Sequence, residues 1–367
     1  MTQDAHRPTA GSASEAAPPP APISVATSKQ SADAAATSPT YGGAMSTEGA
    51  GTHVAVVGAG MVAHRFVESL LSRAGADWRV TVIGEEGRHP YDRVGLTGYF
   101  AGADADALSL DRSVFADPRV RFVDGEAVTS IDLEQASVTT STGARIEWDR
   151  LVMATGSYAA RPPVEGADAD GCFVYRTLTD VESLRAFVER RSAELDRPLA
   201  GTVIGGGLLG LEAAGALQGL GVACTVVQSS DRLMSTQLDV SGGNTLRRLI
   251  EARGIRVRTG SITTRVERDE YSRVEGIVLR DGSRESADLV IFTVGVRPRD
   301  ELARVAGLQV HERQGVVIDD GCQTSDPRVY AIGEVANYAG ACVGLVAPGY
   351  AMAEVAASRL LGADASF

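Results

Sequence analysis

The chain has 367 residues, 44% of them hydrophobic, and a formal net charge of −12. That length supports two or three domains with a substantial core; the acidity argues against a nucleic-acid surface, which needs a basic face, and no apolar run reaches the roughly 18 residues of a membrane span. Four cysteines, Cys172, Cys224, Cys322 and Cys342, form no C-x-x-C or metal-ligand spacing, so no metal site is expected and the thiols read as reduced core residues of a cytoplasmic protein.

Residues 1–52 are rich in Ala, Ser, Thr and Pro and hold almost no large apolar residue. Such a segment buries too little surface to offset the entropy of ordering, so a disordered tail is expected. It has no apolar h-region and is not a secretory signal. Met45, shortly before His53, is an alternative start to Met1.

The ordered part opens with an apolar run, Val54–Val57, that enters the turn Gly58-Ala-Gly60-Met-Val-Ala63. A helical pattern follows to about Ala74. This is a dinucleotide-binding fingerprint with Ala at its third small position. Gly58 permits the tight turn, Gly60 lets the backbone approach a pyrophosphate, and Ala63 lets the helix pack on the strand. Free N–H groups at the helix start hold the anion. A second strand, Arg79–Ile83, ends at Glu85, which is placed to bind an adenosine ribose or, more plainly, to be a surface charge.

The pattern then recurs. Thr202–Ile204 enters Gly205-Gly-Gly207-Leu-Leu-Gly210, a complete G-x-G-x-x-G, followed by a helical stretch ending near Gly219–Gly221 and a strand, Ala223–Val227. Thr142–Gly156 resembles Asp281–Gly295, pairing Gly143 with Gly282, Arg145 with Arg284, Asp149 with Asp288 and Gly156 with Gly295. Two coincident correspondences point to duplication of one nucleotide-binding unit, each with a β-ribbon feeding a hydrophobic strand that ends in Gly. The second strand ends in Gln228-Ser-Ser-Asp-Arg232. Gln228 suits ribose hydroxyls, whereas Ser229, Ser230 and Arg232 suit a 2′-phosphate, so NADH and NADPH both stay open.

Further on, Val329–Ile332 is a short buried-strand pattern that ends at Gly333-Glu334. With the two fingerprints, it resembles the two-dinucleotide flavoprotein superfamily, in which FAD occupies the first unit and NAD(P)H the second. The resemblance implies an α/β fold of two Rossmann-like domains, glutathione-reductase-like. It also implies a late strand returning to the first unit, where Gly333 and Glu334 hold the flavin ribitol and phosphate. The usual acid there is Asp, so Glu334 is a departure with a longer reach. Expected boundaries are an FAD-binding first part over 53–161, an NAD(P)H-binding domain over 162–296 and an FAD-binding return segment over 297–362.

Three more stretches narrow the resemblance: Tyr91-Asp-Arg93-Val-Gly-Leu96-Thr97 with Tyr99-Phe100, Ala303–Val310, and Val343–Ala357. Together they resemble the N-terminal FAD/NAD(P)H part of the nitrite reductase large subunit, collinearly from His53 onward. Rubredoxin and ferredoxin reductases share the framework but typically carry a Lys where this chain has Gly98. By resemblance Arg93 lies near the flavin and stabilises negative charge on the reduced ring; its plainer reading is an ion pair with Asp92. Pro348 and Gly349 would lie beside the flavin at a helix start. Glu212 would face the nicotinamide, or simply be solvated on its helix, and Thr155 and Gly156 would mark the passage of backbone along the cofactor.

The clustered Cys ligands of an iron–sulfur or sirohaem region are missing, as is the C-x₄-C of disulfide reductases. The interface domain that usually closes such flavoproteins is expected to be truncated or absent. The implied activity is an FAD-dependent NAD(P)H oxidoreductase that passes hydride to FAD and electrons to an external acceptor, an iron–sulfur or sirohaem protein being suited. A homodimer is compatible with this. The alternatives are a free-standing ferredoxin- or rubredoxin-type reductase and a non-catalytic flavin- or nucleotide-binding protein.

Overall fold

The computed structural model describes residues 51–367; the Ala/Ser/Pro-rich tail and Met45 lie outside the described residues. The described part forms one compact unit built around two parallel five-stranded sheets. The elements that position the site are, in chain order, β1 (His53–Val57), α1 (Met61–Leu71), β2 (Arg79–Gly84), β3 (Val120–Asp124), β4 (Arg150–Met153), β5 (Ser157–Ala159), β6 (Cys172–Val174), α2 (Leu178–Glu194), β7 (Ala200–Ile204), α3 (Leu208–Gly219), β8 (Ala223–Val227), α4 (Val240–Glu251), β9 (Arg256–Arg258), β10 (Leu289–Phe292), β11 (Val296–Pro298), β12 (Val329–Ala331) and α5 (Val346–Leu360).

The first sheet runs β12-β4-β1-β2-β3 and the second β6-β10-β7-β8-β9. Strand for strand, β7 stands where β1 does, β8 where β2 does, β9 where β3 does and β10 where β4 does. The duplication expected from the sequence is thus visible in the order of both sheets. The two differ in their outermost strand. The second sheet takes β6 from ahead of its own fingerprint strand β7, whereas the first takes β12 from the return segment, with Val329 opposite Leu151 and Ala331 opposite Met153. Each unit also carries a three-stranded antiparallel ribbon, over 128–147 and 263–286. Two short strands, β5 and β11, pair antiparallel where the chain crosses between units.

Strands buried on both faces read as continuous apolar runs. Val54, Ala55 and Val56 in β1 are fully buried, as are Leu289, Val290 and Ile291 in β10. Helix α1 lays Ala63, Phe66, Val67, Leu70 and Leu71 against the first sheet and α5. Each large apolar side chain buried this way contributes about 1.5–3 kcal/mol of transfer free energy. The helix ends at Leu71, short of Ala74, with Ser72 as its C-cap and the chain tightening there, the Arg73 amide bonding to Leu70 O three residues back.

The segment after β2 packs away from its own sheet. Tyr91, Leu96 and Leu108 belong to the 53–161 stretch, yet they pack into the core of the second unit, with Leu178, Ala213, Leu217 and Leu233. The 3₁₀ helix Val94–Ala101 lies there against α2 and α3, so the stretch around Leu96 is a wedge between units.

Candidate functional site

Both fingerprints fold as strand, turn and helix. Gly58 sits at φ +108° and Gly205 at φ +118°, in the left-handed region that favours glycine. A Cβ at Gly58 would overlap the Ala154 carbonyl, and one at Gly205 the Thr293 carbonyl. Gly60 and Gly207 are the N-caps of α1 and α3, and neither helix has a side-chain cap or an acidic residue in its first turn. The first intrahelical bonds run from His64 to Gly60 O (3.0 Å) and from Leu211 to Gly207 O (3.0 Å). The N–H groups ahead of them are therefore free for a ligand. A Cβ at Gly60 or Gly207 would meet nothing within 4 Å. These are open cradles with a positive dipole end, worth roughly 0.3–1 kcal/mol to an anion.

The third small positions differ. Ala63 is buried with its Cβ accommodated, whereas a Cβ at Gly210 would overlap the Gly205 carbonyl and lie 2.8 Å from Thr293 Oγ1.

Around the first cradle, Glu85 follows β2 directly and is exposed, its carboxylate paired with Arg299 from the end of β11. The Arg299 guanidinium lies 4.2 Å above the Tyr158 ring. Thr155 Oγ1 donates to the Arg299 carbonyl at 2.9 Å, and Gly156 turns at φ +68° into β5. Gly333 opens a 3₁₀ turn after β12. Cβ atoms at Gly333 and Gly349 would meet Val62 in the first turn of α1, at 3.3 and 2.7 Å. The fingerprint helix, the return segment and α5 thus converge on one spot. Helix α5 begins at Val346, with Pro348 in its first turn and no side-chain cap at Leu345.

Arg93 does not pair with Asp92. Its guanidinium pairs with Glu86, lies 5.1 Å from the Tyr91 ring centroid and donates to the Arg176 carbonyl at 3.4 Å. Asp92 instead accepts the Val94 amide at 2.9 Å. The physical reason is that Tyr91 Oη donates to Glu86 at 2.8 Å, which orients that carboxylate toward Arg93. Glu334 is likewise engaged, accepting from Ser157 Oγ at 2.8 Å and pairing with Arg176.

In the second unit Gln228 turns inward. Its Oε1 accepts the Gly206 amide at 2.7 Å and its amide donates to Ser230 Oγ. Arg232 donates to the Leu238 and Ser235 carbonyls at 2.9 and 3.1 Å and pairs with Asp231. Glu212, on α3, is half-buried, and that desolvation pushes its pKa up.

Sequence reasoning missed Arg176, Ser157 and Arg299. Arg176 and Glu334 lie 158 positions apart, and no local motif announces such a pair.

A family model described as pyridine nucleotide-disulphide oxidoreductase matches residues 52–358. The chain belongs to that family. FAD and NAD(P)H are the cofactors of this oxidoreductase family. Among its relatives, the chain is 43% identical to the nitrite reductase (NADH) large subunit of Escherichia coli, over 86% of this chain and 36% of that one. It is 31% identical to the ferredoxin–NAD(+) reductase component of the biphenyl dioxygenase system of Paraburkholderia xenovorans, over 78% and 67%. The solved structure of a covalent putidaredoxin reductase–putidaredoxin complex superposes with a TM-score of 0.79 at 28% identity, covering 87% of this chain and 77% of that one. The chain spans about a third of the length of the nitrite reductase large subunits it matches.

The residues present fit a flavin. The cradle at Gly60 is open, and the guanidinium groups that pair with Glu334 and Glu85, those of Arg176 and Arg299, each keep a buried Nε without a partner. Among the described residues no helix is long and apolar enough to cross a membrane, and no cluster of His, Cys, Asp or Glu could hold a metal ion.

Proposed function

We propose that this chain is the electron-input module of an NAD(P)H-dependent reductase, with FAD in the first unit and the nicotinamide nucleotide in the second. The observation that carries the reading is the pair of uncapped, glycine-lined helix starts, one per unit, at Gly60 and Gly207. In the first unit Gly58, Gly60 and Ala63 would receive the pyrophosphate and Glu85 the ribose. Thr155, Gly156, Gly333, Glu334 and Pro348 would line the rest of the flavin's course. In the second, Gly205, Gly207 and Gly210 take the pyrophosphate and Gln228 the ribose side. When bound, the flavin supplies the two-electron-to-one-electron chemistry; the chain's residues hold, orient and shield. Arg93 acts by position, its charge offset by Glu86, and Glu212 borders the nicotinamide end.

NADH is the preferred donor. Arg232, the cation a 2′-phosphate would use, is committed to two loop carbonyls and Asp231. The acceptor is an external protein, an iron–sulfur or sirohaem carrier; the name of one relative, a ferredoxin–NAD(+) reductase component, supports the iron–sulfur reading. The domain limits 53–161, 162–296 and 297–362 describe the chain path, the cytoplasm suits the four free thiols, and a homodimer is compatible. A free-standing ferredoxin reductase is the second reading, favoured by the relative of which the chain covers 67%.

An anaerobic visible spectrum tests this. Flavin bands that bleach within seconds on NADH, and more slowly on NADPH, are expected. Bands that persist with both nucleotides would reduce the chain to a flavin binder, and no flavin after added FAD would overturn the assignment. Mixing the reduced protein with a ferredoxin or with a sirohaem protein then separates the two acceptor readings.

A further inference from the structure

One patch of the second unit runs against the charge of the chain. The chain has a formal net charge of −12, yet Asn244–Gly260 holds five arginines and one acid. This stretch covers the last two turns of α4, the loop after it and β9, the edge strand of the second sheet. Beside it lies a cavity of about 450 Å³, lined by the buried Ile255 and Val257 and by Arg256, Arg258, Glu251 and Glu285. Both acids are occupied, Glu251 by Arg247 at 2.9 Å and Glu285 by Arg256 and Arg258. Arg248 and Arg253 are exposed and have no acidic partner among the described residues; Arg248 reaches only Thr245 Oγ1, at 3.3 Å. Leu249, 58% exposed, adds apolar surface next to Arg248.

A complementary feature stands at the other end of the antiparallel ribbon over 263–286. The base of that ribbon abuts the cavity, where Arg258 donates to Ser283 Oγ at 3.2 Å and pairs with Glu285. Its far hairpin, Asp269–Arg273, presents Glu270 and Tyr271, the latter 67% exposed. Glu270 has no cationic partner among the described residues. The tip is preordered. Asp269 Oδ1 accepts the Tyr271 and Arg273 amides at 2.8 and 2.9 Å, Ser272 turns at φ +60°, and the Arg273 guanidinium lies 5.3 Å from the Tyr271 ring centroid. The strands between, Thr263–Arg268 and Val274–Leu279, have six residues each. At roughly 3.3 Å per residue, tip and cavity stand about 20 Å apart.

A fixed tyrosine beside an acid and an arginine-rimmed cavity are the two halves of a contact. They cannot meet within one chain, because the ribbon separates them. A two-fold axis through the middle of the ribbon brings each tip to the cavity of a second copy, and the contact then closes on itself. We propose that this ribbon is a homodimer interface: Tyr271 of each copy enters the cavity beside β9 of the other, with Glu270 set against Arg248 and Arg253. The inference uses no cofactor, so it stands apart from the flavin reading.

The test is sedimentation velocity on the purified full chain across a concentration series, with far-UV circular dichroism to confirm the fold of each variant. Two contacts this small fall below a standard interface, so a dimer in the micromolar range is expected. Tyr271→Ala should raise its Kd about a hundredfold, a factor of ten for each symmetric contact. Tyr271→Phe keeps the ring and should stay within about threefold of the wild type. Arg248→Glu combined with Arg253→Glu should weaken the dimer about tenfold or more, and adding Glu270→Arg should restore most of the loss, since the reversed charges again meet their complements. All four positions are exposed, so the fold should persist throughout. A chain that is monomeric at about 100 μM overturns the proposal. So does a dimer that Tyr271→Ala leaves unchanged, or one that the reversed charges fail to restore.

Discussion

The two nucleotide loops share a topology and differ in tightness. At its third small position the first loop carries Ala63, whose methyl is buried without conflict. At the same position in the second loop, even a Cβ would overlap the Gly205 carbonyl. The second helix therefore sits closer to its turn. The surroundings differ as well. The first loop is flanked by residues from distant segments, with Gly333 and Gly349 both meeting Val62 in the first turn of its helix, whereas the second is closed by residues of its own unit, Gln228, Leu233 and Thr293. A local pocket tolerates little change in its own residues, and an assembled pocket is sensitive to residues far along the chain.

The largest effect should come from Gly210→Ala. The added methyl must push α3 off its turn, and nicotinamide-driven flavin bleaching in a stopped-flow instrument is expected to slow by about a hundredfold or more, roughly the cost of one misplaced backbone approach. FAD content should be unchanged; simultaneous loss of FAD would show that the loops are not independent. Next, Ser229→Arg places an uncommitted cation beside the second ribose and should move the NADPH-to-NADH ratio of kcat/KM about tenfold toward NADPH, as one charge-assisted contact allows. An unmoved ratio would show that donor choice lies outside the 228–232 loop.

In the first unit, Glu85→Ala should weaken FAD about five- to tenfold, the worth of one or two hydrogen bonds, without altering the KM for NADH. The exposed pair with Arg299 adds little on its own. Ala63→Gly, the mirror of the first substitution, should cost only about 1 kcal/mol of helix propensity, seen as a small drop in Tm with FAD retained. A large FAD loss there would mean that the Ala63 methyl is itself a contact.

The smallest effect is one of pH. Burial raises the Glu212 pKa above its ordinary value of 4.5. An acid raised on folding contributes stability below its unfolded pKa and loses it as pH rises through the folded one. Relative to Glu212→Gln, the wild type should therefore melt higher at pH 4 than at pH 7. Equal differences at both values would show that burial does not hold the carboxyl back.

Much of the molecule was legible from the amino acids. Gly58, Gly60, Gly205, Gly207 and Gly210 announced both turns because the fingerprint is local in sequence: Gly58 and Gly205 take left-handed backbone, Gly210 crowds the Gly205 carbonyl, and Gly60 and Gly207 keep the helix starts open. The matching ribbons announced the duplication. Contacts made across the chain were invisible. Nothing local says that Glu86 rather than Asp92 takes Arg93, since Tyr91 decides it by orienting Glu86. Nor does the pattern show that Tyr91, Leu96 and Leu108 belong to the second core, because periodicity reports that a residue is buried and not against what.

The last strand to join the first sheet has a consequence for how the protein is made. β12 pairs with β4, and Val329 leaves the ribosome long after Met153. The contiguous second unit can complete its sheet first, while β4 waits as an open, apolar edge of the kind that recruits unwanted partners. Synthesis speed and chaperone access over that interval, rather than final stability, should then govern how much of this chain reaches its native form.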